Sequence, residues 1–161
     1  MLAKHRLEIK WGLIFSGMML LWMVGEKVLG YHGDKIDQHM IITNFIAIPA
    51  FIIYYLALKD KRAQLGGYIS WKEGFISGVI IAVVVMILSP LLQYLTSEVI
   101  SPEYFPNSIE YAVESGNSTR EEAEEFFNLR SYMMQATIGS LVMGTVTAAI
   151  MALVVRKKKG V

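Results

Sequence analysis

The sequence contains no cysteine and only 4 prolines in 161 residues. Without cysteine, disulfide scaffolds, thiolate metal sites and thiol nucleophiles are excluded. Charged residues are also scarce, at 18% of the chain, whereas a soluble domain typically has about 25%. The net charge of +1 provides no bulk attraction to nucleic acid, so no nucleic-acid partner is expected.

Charged residues are missing altogether from three long windows. Met40–Leu58 has 19 uncharged positions, Gly74–Ser97 has 24 and Ser131–Val155 has 25. A hydrocarbon core of ~30 Å needs ~20 residues of helix. None of the windows alternates between apolar and polar residues, which disfavours the strands of a membrane barrel. We therefore predict transmembrane helices at about 40–58, 74–97 and 132–155.

The first apolar window is shorter. Trp11–Gly25 has 15 uncharged residues and is followed by Glu26 and Lys27. A basic leader precedes the window, but no small-x-small cleavage site follows it, which disfavours a signal peptide. We predict a retained helix at about 11–31, with Glu26 and Lys27 close enough to its end to reach water. The expected fold is an all-α, four-helix transmembrane bundle that forms one membrane domain.

The flanking charges predict the orientation. The N-terminal arm, the connection after the second helix and the C-terminal tail together carry 11 of the 15 basic residues. The positive-inside rule then places both chain ends in the cytoplasm, as an even number of spans requires. The basic tail also suits anionic lipid, and the bilayer is the expected partner.

The connection at 98–131 would lie outside the cell, and its net charge is −6. It is too long for a plain loop, and its pattern predicts two short helices. The first extends from about Pro102 to Ser115 and ends at Gly116. The EF-hand spacing is absent and a run of glutamates is usually a solvated face, so a Ca²⁺ site is disfavoured.

The second short helix has two candidate starts. Ser118 with Glu121 and Thr119 with Glu122 both fit a capping box. In one alternative, this second short helix continues without a break into the fourth membrane span.

Small residues recur at every fourth position of two spans, which is the spacing for close helix contact in a bilayer. They are Gly74, Gly78 and Ala82 in the third span, and Ala136, Ser140, Gly144, Ala148 and Ala152 in the fourth. We favour contact within one bundle over a dimerisation face. In the second span, Pro49 frees a backbone carbonyl and is expected to kink the helix.

Two groups of residues are candidate ion sites. Glu26 is an acid near membrane depth, which makes it a candidate proton or cation site, although Lys27 beside it favours a structural anchor. The short loop after it carries His32, Asp34, Asp37 and His39. These residue types bind metals, but their spacing matches no strong signature, and we expect a solvated loop.

The remaining polar groups in the spans predict little chemistry. Asn44, Gln93 and Gln135 are expected to join helices by hydrogen bonds. No other ionisable residue falls inside a predicted span, so the spans lack the series of ionisable groups that a proton relay needs. They also contain no pair of a nucleophile and a base, so the sequence does not predict an enzyme. Accordingly, no catalytic, cofactor or metal residue is assigned from the residues alone.

Several short segments together resemble a known family. They are Lys10-Trp11-Gly12-Leu13-Ile14, the segment 68–78 that introduces the third span, Ser89-Pro90 at that span's end, and Ile100-Ser101-Pro102-Glu103-Tyr104. The layout resembles the bacterial family called domain of unknown function 4199, found mainly among Bacteroidetes. The resemblance implies a four-span protein of the bacterial inner membrane with an acidic loop before the last span. It carries over no site residue.

The sequence leaves two main hypotheses for function. The first is a small accessory or interaction subunit that contacts other membrane proteins, or a second copy, through small-residue faces and the acidic loop. The alternative is a small ion-coupled transporter that uses Glu26 and the kink at Pro49.

Overall fold

The computed structural model describes residues 5–158, and Lys4 and Lys159 of the basic flanks lie outside this range. The described residues form helices joined by short connections, with one isolated bridge between Ile69 and Lys157. Its α-helices are α1 (Arg6–Val28), α2 (Ile36–Ile42), α3 (Ala47–Gln64), α4 (Trp71–Tyr94), α5 (Tyr104–Glu114), α6 (Arg120–Phe126) and α7 (Leu129–Val155). A 3₁₀ turn at Thr43–Ile46 precedes α3, and a π-helical turn at Leu95–Ile100 continues α4.

Four helical segments are long and apolar enough to cross a membrane: Arg6–Val28, Ile36–Gln64, Trp71–Ile100 and Leu129–Val155. Large apolar side chains on their outer faces are exposed, as lipid contact requires; Leu21, Met40 and Ile87 are each more than 60% exposed. The protein is therefore an all-α, multi-pass membrane protein. The first segment begins before Trp11, so Glu8 belongs to the span.

The small residues of α4 and α7 pack against one another. A Cβ atom added to Gly78 would lie 2.5 Å from the Cβ of Ala148, and one added to Gly144 would lie 2.6 Å from that of Ala82. The two backbones approach closely because no larger side chain separates them. The repeats thus serve contact within the chain; contact with a second chain through positions left free remains a prediction.

Both prolines within the spans coincide with local changes of the helix. Pro49 lies in the first turn of α3, directly after the 3₁₀ turn, and the kink there stays a prediction. Pro90 lies inside α4, so the span does not end there. Because proline has no N–H, it leaves the Met86 carbonyl free, and the Ser89 hydroxyl donates to that carbonyl at 2.8 Å.

The acidic segment folds as two short helices. Gly116, at φ +71°, follows the first one, in the left-handed conformation that glycine tolerates best. Thr119, rather than Ser118, caps α6: its hydroxyl accepts from the Glu122 N–H, and its own N–H donates to the Glu122 carboxylate. The hydrogen bonds from Thr119 lower the pKa of Glu122.

The second short helix stops before α7. It ends at Phe126, and Asn128 begins a new helix by accepting from the Ser131 N–H at 2.9 Å. The option of one continuous helix was therefore wrong. The break lets α6 lie beside α5, where Arg120 pairs with Glu110 at 2.9 Å.

The two ends of the bundle differ in chemistry. At one end, which we call the basic end, Arg62 donates to the Val155 carbonyl at 3.0 Å and Trp11 donates to Asp60 at 3.0 Å. These contacts hold the beginning of α1 and the end of α7 against the end of α3. At the other end, the capped end, α5 and α6 lie over the ends of the membrane helices.

Candidate metal site at the capped end

A buried cluster of one carboxylate and two imidazoles lies at the capped end. Glu26 is in the last turn of α1, His32 is in the turn that follows, and His39 is on α2. Their side chains are 3%, 2% and 16% exposed. The Glu26 Oε2 atom lies 3.4 Å from His32 Nε2 and 3.5 Å from His39 Nε2. We call these three residues the triad.

Each imidazole has a hydroxyl group on its other side. His32 Nδ1 lies 2.9 Å from the Ser101 hydroxyl, and His39 Nδ1 lies 3.4 Å from that of Tyr104. A hydroxyl both donates and accepts, so it can partner either tautomer of a histidine. The outer groups therefore orient both rings and leave both Nε2 atoms facing one carboxylate oxygen.

Residues 101–107, which we call the covering segment, close the site from above. Asn107 donates to the His32 carbonyl at 2.8 Å. Lys27 pairs with Glu103 at 3.1 Å and also donates to the Ile100 carbonyl. Burial acts to raise the pKa of Glu103, but hydrogen bonds from its own backbone N–H and from Lys27 outweigh burial and lower that pKa. The carboxylate therefore stays ionised and holds the segment on α1.

Tyr104 is the buried aromatic residue of the covering segment. Its ring centroid lies 5.0 Å from those of both histidines, and its hydroxyl lies 3.3 Å from the hydroxyl of Tyr132 on α7. Burial raises the pKa of the Tyr104 phenol, so it remains protonated near neutral pH. The phenol thus links the triad to α7 as a neutral hydrogen-bonding group.

The geometry of the triad is compatible with a bound metal ion. Separations of 3.4 and 3.5 Å exceed the 2.7–3.2 Å usual for a hydrogen bond from nitrogen to oxygen. Ligand atoms about 2.0–2.1 Å from a tetrahedral zinc ion are about 3.4 Å apart. One ligand atom from each triad residue lies within 4.8 Å of the others. In metal sites, ligating histidines commonly use their second nitrogen to bind an outer partner, as both do here.

The structure corrects several expectations about this region. His32 is buried rather than solvated, and Glu26 does not reach water. Asp34 and Asp37 are exposed, as a solvated loop predicts, and they do not join the triad. The reason is the covering segment, which excludes water from one side of the loop only.

The predicted interhelical hydrogen bonds were also wrong. Each of the three amides binds within its own helical segment: Asn44 donates to the Met40 carbonyl, Gln93 to Ser97 and Gln135 to Ser131. Small side chains at the helix contacts leave these longer ones to turn back along their own helix.

A groove of about 380 Å³ lies beside the triad and is almost wholly apolar. Glu26, Trp22 and Pro49 are among the residues that line it. The Trp22 indole donates to Glu26 Oε1 at 2.6 Å, so this carboxylate oxygen is held on the groove side. The two residues of the transporter hypothesis, Glu26 and Pro49, therefore line the same groove.

A second buried carboxylate was missed from the sequence. Glu8 at the basic end is 1% exposed and accepts from Lys61 at 2.8 Å and from Ser77 at 2.9 Å. The predicted first span begins at Trp11, so Glu8 lay outside it and was not considered as a buried group. Glu8 and Glu26 are 18 residues apart, which is five whole turns of an α-helix, so the two carboxylates lie on the same face of α1. This spacing could have identified Glu8 from the sequence.

Comparison with known proteins identifies the family of the chain. A search of curated proteins and a search of solved structures both found no match. The family model described as protein of unknown function (DUF4199) matches residues 10–157, which is nearly the whole chain and includes all of the triad. The chain belongs to the DUF4199 family.

Proposed function

We propose that this protein binds a divalent transition-metal ion of the zinc class, with Glu26, His32 and His39 as ligands. The observation that carries the proposal is the placement of both Nε2 atoms 3.4–3.5 Å from one carboxylate oxygen. Two imidazoles and one carboxylate are a ligand set that zinc accepts, with a fourth position left for water or another ligand. The proposed role is binding rather than catalysis.

The ligand types favour a transition metal over Ca²⁺ or Mg²⁺. The two hard ions take oxygen ligands, six or more of them for Ca²⁺, whereas imidazole suits Zn²⁺, Cu²⁺, Ni²⁺ and Fe²⁺. The neighbouring oxygen atoms of Ser101 and Tyr104 already face the outer ring nitrogens. The triad therefore offers too few oxygen atoms for an alkaline-earth ion.

The proposed location is the cytoplasmic membrane of a bacterium, with both chain ends in the cytoplasm and the triad on the outer side. The distribution of basic residues supports this orientation. The exposed glutamates of α5 and α6 would then raise the local concentration of cations near the triad. Metal would arrive from outside the cell.

The test is a titration of the detergent-solubilised full chain with Zn²⁺ in competition with a chromophoric chelator. We expect one equivalent to bind to the wild type, and the His32→Ala/His39→Ala double variant to bind at least ~100-fold more weakly, since even outer partners of a ligand are worth about 10–100-fold. Binding should weaken as pH falls from 8 to 5, because a ligating imidazole must be deprotonated.

The chain offers a matched control for this test. His5 is the third histidine and lies at the basic end, beside Glu8. His5→Ala should leave the affinity for Zn²⁺ unchanged. Equal Zn²⁺ affinities for the wild type and the double variant would refute the metal proposal.

We also propose, as a second function, that α6 mediates an interaction as part of an accessory subunit. Phe126 at its end is 50% exposed and directly follows two glutamates. A photo-crosslinking residue at position 126 should give a discrete product in native membranes. The same residue at Leu21, which is 74% exposed on a membrane helix, is the control for lipid-facing background. Identical patterns at both positions would count against the interaction.

A further inference from the structure

The apolar groove beside the triad opens on the outer face of α1. Its wall on that helix extends from Met18 to Leu29, which is about 16 Å along the helix axis. Leu21 and Leu29 on this wall are each more than half exposed, so the groove is open to the surrounding acyl chains. An alkyl chain can therefore enter it from the bilayer without crossing water.

The groove exists because its walls include small or compact side chains. Gly25 lines it, and a Cβ atom added there would have nothing within 4 Å. On the opposite wall, Pro49 presents a compact ring in the first turn of α3. Packed helices leave few voids larger than a water molecule, so a space of about 380 Å³ is large enough for a ligand rather than a packing defect.

Glu26 is the ionisable residue among those that line the groove. Its Oε2 atom faces the two imidazoles, whereas its Oε1 atom accepts from the Trp22 indole. The neighbouring Lys27 pairs with Glu103, and no lysine or arginine of the described chain pairs with Glu26. Each carboxylate oxygen has about two sites for hydrogen bonds, so Oε1 can accept a second donor from the groove.

Trp22 is a second group that suits a cation. Its indole lines the groove and is held beside Glu26 by their hydrogen bond of 2.6 Å. Among aromatic side chains, tryptophan attracts ammonium groups most strongly through its ring face. A carboxylate and an indole in an apolar groove together favour an organic cation that has an alkyl chain.

The charge of the lining disfavours a phospholipid as the specific occupant. None of the described lining residues is basic. A phosphate group beside the Glu26 carboxylate would therefore meet a like charge at short range in a medium of low dielectric. The complementary ligand has its cationic group joined directly to its apolar chain.

We propose that this groove binds a long-chain alkylammonium. The ammonium group lies against Glu26 Oε1 and Trp22, and the chain follows α1 towards Met18 and the middle of the membrane. This site goes beyond the metal site and does not need a metal ion. Because both ligands use one carboxylate, each should weaken the binding of the other. The proposal concerns binding alone, and it gives the transporter hypothesis a substrate class.

The test is equilibrium binding of radiolabelled dodecylamine, which is protonated at pH 7, to the full chain in phosphatidylcholine nanodiscs with EDTA present. After subtraction of the signal from empty nanodiscs, we expect saturable binding of one equivalent. Glu26→Gln keeps the side-chain shape and should weaken binding at least ~10-fold, the usual scale for losing a hydrogen bond to a charged group. Excess dodecanol, which has the same chain without the charge, should not displace the amine.

Two glycines of α1 provide a matched pair of variants that leave Glu26 in place. Gly25→Leu fills the groove and should abolish binding of the amine, while its affinity for Zn²⁺ in detergent stays that of the wild type. Gly17→Leu is the control, because a Cβ atom there also meets nothing within 4 Å and Gly17 does not line the groove. It should bind the amine like the wild type.

Three results would overturn the proposal. The first is equal binding of dodecylamine by the wild type and Gly25→Leu. The second is displacement by dodecanol, which would show a groove that selects for the chain alone. The third is displacement by phosphatidylethanolamine added to the nanodiscs, which would assign the groove to a lipid headgroup. Failure of the Zn²⁺ titration would leave amine binding intact, so the two proposals fail separately.

Discussion

Gly78→Ala is expected to destabilise the bundle by ~1–3 kcal/mol, the usual cost of overpacking a tight core. A single added methyl group would lie 2.5 Å from the Cβ and 3.1 Å from the Cα of Ala148, and only separation of α4 from α7 relieves that contact. Gly78→Leu should prevent assembly altogether. The measurement is thermal unfolding in detergent, with monodisperse elution as the test of folding.

Two controls make the prediction specific to this contact. Gly139→Ala adds the same methyl group on α7 where nothing lies within 4 Å, and it should be neutral or slightly stabilising because alanine favours helix over glycine. Gly78→Ala combined with Ala148→Gly moves the methyl group from one helix to the other. The combined variant should recover much of the lost stability, and failure to do so would contradict a local steric cause.

Lys61→Met is expected to lower the free energy of unfolding by ~3–5 kcal/mol, the usual effect of removing one partner of a buried ion pair. Lys61 is the cation 2.8 Å from Glu8, which is 1% exposed. Without Lys61 the Glu8 carboxylate keeps only hydrogen bonds from neutral groups. The readout is the midpoint of thermal unfolding in detergent at pH 7.

The cause can be isolated with a second substitution and a neighbouring lysine. Glu8→Gln added to Lys61→Met removes the unpaired charge and should restore most of the stability. Lys59→Met changes an exposed lysine of the same helix and should alter the midpoint little. A Lys61→Met protein as stable as the wild type would show that the pair contributes nothing.

The fold could be predicted from the sequence because the sequence patterns that specify it are local. Uncharged windows of membrane length predict helices, and small residues at every fourth position predict a close contact. The choice between Ser118 and Thr119 as the cap of α6 did not follow, since both satisfy the same local rule. In the structure Thr119 is the cap, because Ser118 belongs to the turn after α5, where its N–H donates to the Ala112 carbonyl.

The candidate site was only partly visible in the sequence. Glu26 attracted attention as an acid near membrane depth, and His32 and His39 were named as residues of metal-binding type. Their burial depends on Tyr104 and Asn107, which are more than 60 residues away along the chain. Contacts at that separation leave no periodicity that a single sequence reveals, so the loop was interpreted as solvated.

The widened turn at Leu95–Ile100 has a geometric consequence for the outer end of the molecule. There the Ser101 N–H donates to the Thr96 carbonyl, five residues back, at 2.8 Å, so the backbone holds one residue more than an ordinary turn would. If the turn rewound to the regular helix with its number of residues unchanged, everything beyond it would rotate by about 100°. Ser101 and Tyr104 would then point away from the imidazoles they orient. The width of this turn therefore sets the alignment of the two halves of the site.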